Sequence, residues 1–485
     1  MSEDRLRDDI KKKGVLGVLY FLGNSSYGAV LGLIANFFFT IYLSPAEYGL
    51  YFIVLSLITI FTYFTDLGFA ASLVQKKDPE EEEFFIAFTI QLLLVTTVVM
   101  VGVILTPLLI AQYKLTTAGI GLYIAMLVSL FILSLKSIPS TRLERTLEYS
   151  KIVMTQAVEQ TVFYTVSIIF LLLHFGVYAL AIAVLVRSLI GVTLIYYFTG
   201  WRPQIKFNMS KARSILKFGI PFQSNVFLAI VKDELLNMYL VQQLGFSAMG
   251  YVGWAKKWAE APLRVVLDNT NRVMFPIYSR YQDDKERVGK TLEKVVFYNS
   301  LILLPVLAGM YTIMPLLVEI IPKYQKWETA LSSFNFFLIS ALFVSFTTPF
   351  ITVFNSIGKV IYSVRFMVLW IVLNWTVVPL SIMLMGYQGV GIAFAINSLS
   401  FVFVIYVLKR LVPFHFWSSV RMPVTATAGM LLCLLLIKTS LFDPYILTAT
   451  LIITGPIIYG LLLYLMGGAK VFHEVKRIFL QPAAQ

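Results

Sequence analysis

The chain has 485 residues, 58% of them hydrophobic and only 13% charged, with a net charge of +13 and a mean hydropathy of +0.81. Soluble domains carry close to twice that share of charge, so a water-soluble enzyme or binding module is excluded and an integral membrane protein is expected. With the N-terminus in the cytoplasm, 29 of the 39 Lys and Arg fall in cytoplasmic segments, so the positive-inside rule accounts for the basicity and nucleic-acid binding loses its support.

A hydrocarbon core roughly 30 Å thick takes about 20 helical residues per crossing. Runs of that kind lie near 14–43, 47–74, 84–113, 116–138, 152–174 and 176–200, and again near 218–243, 247–278, 295–321, 328–357, 366–386, 388–408, 419–438 and 444–466. The expected fold is all-α, with about 14 transmembrane helices in the cytoplasmic membrane and both termini in the cytoplasm. Span 1 has no small-residue cleavage site after a short apolar core, so it reads as a retained anchor. Ser44-Pro45-Ala46-Glu47-Tyr48 reads as a tight hairpin, with Pro at the start of span 2. The acidic run Glu80 to Glu83 is placed to cap span 3, where the helix dipole favours negative charge. Segments 136–151 and 201–217 read as short amphipathic elements on the cytoplasmic surface, or as plain basic loops.

An internal repeat organises the chain. At an offset of 201 residues, Lys12 falls on Arg213, Asn24 on Asn225, Asn36 on Asn237 and Gly49 on Gly250. Six spans separate the copies, an even number, so they share orientation about an axis along the membrane normal. Two pseudo-symmetric six-helix lobes follow, residues 1–210 and 211–411, with an extra helix pair and tail in 412–485.

Ionisable groups inside spans cost several kcal/mol unless paired or hydrated, so each asks for a reason. Span 8 has the densest set: Lys256, Glu260, Arg264, Asp268 and Arg272 stand four residues apart with alternating sign. That spacing drifts about 40° and rises about 6 Å per step, so the ladder spirals through about 24 Å of the bilayer. Its members can pair along the helix, but leucine would be cheaper for a strut, and a water-filled polar pathway is the favoured reading. Pro262 is expected to kink this helix. Span 7 adds Lys232, Asp233 and Glu234, with Asp233 the candidate for a cavity wall. The first lobe has Asp66 on span 2, Glu159 on span 5 and Arg187 on span 6. Two of these pair as a structural lock, or a desolvated carboxylate there binds and releases a coupling proton; both readings stay open.

Other residues carry less. His174, His415 and His473 lack metal-ligand spacing, and Cys433 is alone, so neither a metal site nor an internal disulfide is expected. Gly28 and Gly32 form a small-residue motif suited to close internal helix packing. Phosphate-binding lysine loops and nucleophile elbows are absent from the sequence, which removes the usual signs of an enzyme and of a cofactor.

Several short stretches together resemble the Wzx-type oligosaccharide flippases, in the polysaccharide biosynthesis branch of the multidrug/oligosaccharidyl-lipid/polysaccharide exporter superfamily. They are Ser44-Pro45-Ala46-Glu47-Tyr48-Gly49-Leu50-Tyr51, Thr65-Asp66-Leu67-Gly68-Phe69 leading to Leu73-Val74-Gln75, Pro139 through Leu143-Glu144-Arg145 to Tyr149, Lys217 through Phe222, and Phe354 through Lys359. The resemblance implies two lobes that open a polar cavity alternately to either side. The implied cargo is an undecaprenyl-diphosphate-linked glycan whose lipid tail stays in the bilayer, along spans 13 and 14. Arg187, Lys232, Lys256, Arg264 and Arg272 would attract the diphosphate, while Asp66, Glu159, Asp233, Glu260 and Asp268 would be the cavity or ion-coupling carboxylates. A monomer working beside a polysaccharide polymerase and glycosyltransferases is implied as well. Span 1 departs from two relatives: it lacks the arginines of lipid II flippases and the carboxylate of drug antiporters. The rival readings are an ion-coupled exporter of small amphiphilic molecules and a membrane glycosyltransferase or polymerase, for which the loops are too short.

Overall fold

The structure, a computed structural model, describes residues 3–65, 68, 72–74, 76, 79–211, 224–440 and 443–480. Among the described residues every regular element is helical, because backbone amides in hydrocarbon must be satisfied within their own segment. The chain divides into two compact units, Met1–Gly253 and Trp254–Gln485.

The first unit holds α1 (Glu3–Tyr42), α2 (Pro45–Thr65), α3 (Glu81–Tyr113), α4 (Thr117–Ser134), the short α5 (Ser137–Arg145), α6 (Tyr149–Leu172), α7 (Val177–Thr199) and α8 (Ser224–Arg280) as far as Gly253. The second holds the rest of α8, then α9 (Lys285–Ile320), a 3-10 turn (Gln325–Ala330), α10 (Leu331–Ser356), α11 (Val360–Met385), α12 (Gln388–Ser398), α13 (Phe401–Leu411), α14 (Phe416–Ser440) and α15 (Pro444–Leu480).

Twelve helical segments among the described residues are long and apolar enough to cross a membrane. The long helix α8 is not among them, because it carries the intramembrane charges; its two arms meet at Gly245, whose φ of 79° and ψ of 173° break the helical path. Ile104, Met383 and Leu465 are 69%, 84% and 70% exposed, an outward apolar surface that suits lipid and not water.

Helix ends follow local chemistry. Ser44 and Glu47 form a capping box at the start of α2, with Glu47 N donating to Ser44 Oγ at 3.2 Å and Ser44 N to Glu47 Oε2 at 2.8 Å. Glu80 and Glu83 form the corresponding box at α3, as the acidic run led us to expect. Other boundaries moved. The described part of α2 runs to Thr65, and α9 starts at Lys285, ten residues early, because Asp284 caps it through the Arg287 amide at 2.9 Å. Span 12 is two pieces, α12 and α13; Ser400 at the break accepts from Trp370 Nε1 at 2.9 Å, and Asn397 donates to Asn374 at 2.8 Å. Segment 136–151 contains a helix, α5; in 201–217, residues 201–208 have no regular secondary structure and 209–211 are helical. Gly245 falls in the gap between the apolar runs 218–243 and 247–278, where the sequence places the turn between spans 7 and 8, and Pro262 lies within the second arm of α8.

Packing positions these helices. Along the α1–α6 seam, a Cβ on Gly28 would lie 2.2 Å from Gln160 Oε1, Asn24 donates to Gln156 at 3.0 Å, and Tyr27 meets Thr161 at 2.6 Å. The Gly28–Gly32 motif is therefore an internal contact. At the starts of α2 and the second arm of α8, the backbones touch: a Cβ on Gly49 would lie 2.0 Å from Phe246 O, and one on Gly250 1.9 Å from Pro45 O. In the second unit α14 and α15 dock on α9 through Leu316, Met430, Leu434, Leu451 and Leu463, and Tyr459 donates to Leu301 O at 2.9 Å.

Candidate functional site

Two polar constellations stand out in the apolar frame. The first is a cavity of about 410 Å³ inside the first unit, lined by Tyr51 and Thr65 of α2, Gln91 of α3, Gln160 and Tyr164 of α6, and Arg187 of α7. Glu159, one residue before Gln160, is 3% exposed and forms an ion pair with Lys136 at the α4–α5 junction. Gly191, one turn beyond Arg187 on α7, makes room for that carboxylate; a Cβ there would lie 1.7 Å from Glu159 Oε1. Arg187 stands over the Phe163 ring at 5.8 Å, and its Nε is buried with no hydrogen-bond partner, as are the Oε1 atoms of Gln91 and Gln160.

The second constellation is the charge ladder of α8, in the second unit. Ala255, Ala259, Leu263 and Leu267 form a stripe, none more than 5% exposed, and each ladder residue from Lys256 to Asp268 follows a member of it by one position, about 100° around the helix. The charges therefore flank the packed face instead of being wedged into it. Lys256 and Glu260 are half-buried, and Arg264, Asp268 and Arg272 are exposed. Lys256 Nζ stands 4.5 Å over the Phe394 ring. Of the acid-first pairs expected along the helix, Glu260–Arg264 is present at 3.6 Å, with Arg264 70% exposed. Salt bridges that open contribute little to stability, which leaves the guanidinium available to a ligand.

The remaining sequence candidates distribute as follows. Lys232 and Asp233 are half-buried neighbours on the first arm of α8, 3.3 Å apart, and one turn on Asn237 donates to Ser56 of α2 at 3.2 Å. Asp66 lies outside the described residues. Glu159 and Arg187 do approach one another's surroundings, but the carboxylate's ion-pair partner is Lys136, a residue read from sequence only as part of a basic loop. Gln91, Gln160, Tyr51 and Tyr164 were missed too; amides within apolar spans were the available signal, since each needs a partner.

At the start of α3, Trp201 stacks on Phe85 (5.7 Å, 16°) and donates to Glu81 at 3.2 Å. Arg142 pairs with Glu81 and lies over Phe84. Lys211 bonds Glu80 at 2.8 Å and Glu82 at 2.6 Å, so hydrogen bonding holds the Glu80 carboxyl below its ordinary range and raises Lys211 above the lysine one. The strap formed by residues 201–211 is thereby tied across the start of α3.

Comparison with known proteins agrees with this architecture. The sequence profile of a family described as polysaccharide biosynthesis protein matches residues 42–332. Lipopolysaccharide biosynthesis protein WzxC of Escherichia coli is 23% identical over 76% of this chain and 78% of its own length. Succinoglycan biosynthesis transport protein ExoT of Rhizobium meliloti is 21% identical over 56% of this chain, and the chain spans 55% of that relative. Among solved structures, lipid II flippase MurJ in an inward closed conformation superposes with a TM-score of 0.73 at 13% identity, covering 96% of this chain and all of MurJ. An inward-facing multidrug transporter of the MATE family gives 0.59 at 16% identity, covering 81% of this chain and 95% of its own. At those identities the likeness is one of fold.

Proposed function

The chain belongs to the polysaccharide biosynthesis protein family, and from that membership we propose that it is a flippase moving a polyprenyl-diphosphate-linked oligosaccharide across the cytoplasmic membrane by alternating access. The observation that carries the reading is the α8 ladder. A chain that is apolar almost everywhere keeps Lys256 and Arg264 at membrane depth on the flank of a packed stripe, with Arg264 exposed to a ligand, and Arg272 continues the ladder one turn beyond Asp268. Guanidinium groups match phosphate oxygens in a bidentate fork, and Lys232 adds a further cation on the other arm. Glu260, Asp268 and Asp233 interleave with these cations, so that each positive group is partly balanced until the diphosphate arrives. Arg187 sits apart in the cavity of the first unit and is treated below.

The moving parts in this proposal are the two repeats, residues 1–210 and 211–411, with the pair in 412–485 beside the lipid tail. The Gly49–Gly250 contact supports a twofold relation. Under the offset of 201, Pro45 exchanges with Phe246 and Gly49 with Gly250, so the two close approaches are each other's images. Both termini lie in the cytoplasm in this proposal, the chain acts as a monomer, and it works with a polymerase and glycosyltransferases that consume and supply the glycolipid.

Reconstituted liposomes test it. Purified protein should move a fluorescent lipid-linked oligosaccharide between leaflets, and Arg264→Ala should abolish the movement while leaving the protein folded. Gradient-driven efflux of organic cations, with indifference to the glycolipid, would replace the flippase by an ion-coupled exporter of small amphiphiles.

A further inference from the structure

Arg187 brings to membrane depth a charge that it does not shed, since guanidinium stays protonated in proteins, so that charge must be neutralised or hydrated where it stands. The carboxylate beside it is committed. Glu159 is ion-paired to Lys136, and the charge of Arg187 acts on Lys136 as well. Two cations and one carboxylate, among the described residues, leave this cluster at +1. Among the described residues no carboxylate makes an ion pair with Arg187, and its buried Nε has no partner. Beside it lies open space of about 410 Å³, several times the roughly 30 Å³ share of one water. Tyr51 and Tyr164 line that space with hydroxyl groups, and Gln91 and Gln160 with amides, all able to donate.

We propose that this pocket is a binding site for a compact, singly charged anion held by Arg187. Charge decides the class: a monoanion brings the cluster to neutrality, whereas a diphosphate diester would overshoot it in a low-dielectric site. The apolar remainder of the lining, Leu55, Ile58, Met126 and Leu130 among it, suits a weakly hydrated ion. Two sources share this chemistry, a halide from solvent and the phosphodiester of a lipid headgroup. The proposal does not depend on the translocation reading, because binding here is measured without transport.

Full-length protein in phosphatidylcholine nanodiscs is melted in chloride and in gluconate at constant ionic strength. Chloride should raise the melting temperature saturably, by a few degrees; Arg187→Gln should lose the shift, Arg187→Lys should keep a weaker one, and Lys206→Ala, outside the pocket, should keep it whole. A shift that needs phosphatidylglycerol instead of chloride, and still requires Arg187, identifies the source as a lipid headgroup and supports the same site. Absence of any Arg187-dependent shift with either anion overturns the proposal, as does a shift obtained only with a lipid-linked diphosphate. So does indifference of the native chain coupled with a response in Asp66→Asn, which would make Asp66 the counter-ion. Should Arg187→Gln fail to fold, anomalous diffraction from bromide-grown crystals of the native protein decides: density beside Arg187 or in a headgroup there upholds the site, and an empty pocket overturns it.

Discussion

Replacing Glu159 by leucine removes the carboxylate that pairs with Lys136. Lys136 is 20% exposed and Glu159 4% by side chain, so the ammonium would be left largely desolvated, with Arg187 still acting on it. Breaking a buried pair from one side costs about 3–5 kcal/mol, and the partial exposure of Lys136 places the expected cost near the lower end. About 3 kcal/mol is roughly two orders of magnitude in the ratio of folded to unfolded protein. The assay is the fraction of protein that stays monodisperse on size exclusion after stepwise heating in detergent. Glu159→Leu should melt well below the native chain, and Lys136→Met/Glu159→Leu should return to within about 1 kcal/mol of it, because an apolar pair of similar volume replaces a buried ion pair at little cost. Gly191→Ala approaches the same carboxylate from α7 and should give a similar loss, since the new methyl would lie 1.7 Å from Oε1, and 2.5 Å from Cδ. A neutral single substitution, or a double variant as unstable as the single one, would refute the idea that this pair ties α6 to the α4–α5 junction.

Three further expectations are open to measurement. Gly250→Ala drives a methyl to 1.9 Å from the backbone oxygen of Pro45, so backbone must move; overpacking of this kind costs about 1–3 kcal/mol, and both melting temperature and flipping should fall, with Gly49→Ala giving the same phenotype. Arg264→Ala removes a side chain that is 70% exposed and paired at only 3.6 Å, so stability should change by less than about 1 kcal/mol while glycolipid movement in liposomes is lost; an equal loss of folded protein would instead mark the ladder as structural. The strap should release at both pH extremes. Glu80 is held below its ordinary value, so its contribution is present above that value and lost as pH falls through the lowered one; Lys211 is raised, so its contribution persists below the ordinary lysine value and is lost only above it. A spin label on Ile205→Cys in a Cys433→Ala background should therefore be immobile across the neutral range and gain mobility in acid below the usual carboxylate range, and an unchanged spectrum there would count against the Lys211 tie.

Much of the architecture was legible because membrane insertion acts on segments. Twenty apolar residues form a helix in hydrocarbon whatever their neighbours are, and cationic loops choose a side; hence the order of the spans, the hairpin at Ser44 and the cap at Glu80 all followed from composition and spacing. The ladder was legible for a related reason: charges four apart must share one helix flank. Its setting beside the buried stripe of Ala255, Ala259, Leu263 and Leu267 was not, since a stripe of small and apolar residues within an apolar helix has no contrast to reveal it.

Helix breaks divided in the same way. The turn between spans 7 and 8 was legible as the gap between two apolar runs, and it falls at Gly245, where a positive φ is available without a side-chain clash; the split of span 12 into α12 and α13 lies inside one continuous apolar run and was not legible. The partner of Glu159 shows most clearly where linear pattern stops. Composition alone made this an α-helical membrane protein with charges that needed an explanation, but whether Glu159 met Asp66, Arg187 or Lys136 depended on which helices came within ion-pair reach. That reach was decided by tertiary packing, through close approaches such as Gly28 to Gln160 and Gly191 to Glu159, whose fit depends on pairs of surfaces far apart in the chain and leaves no periodic trace in either segment.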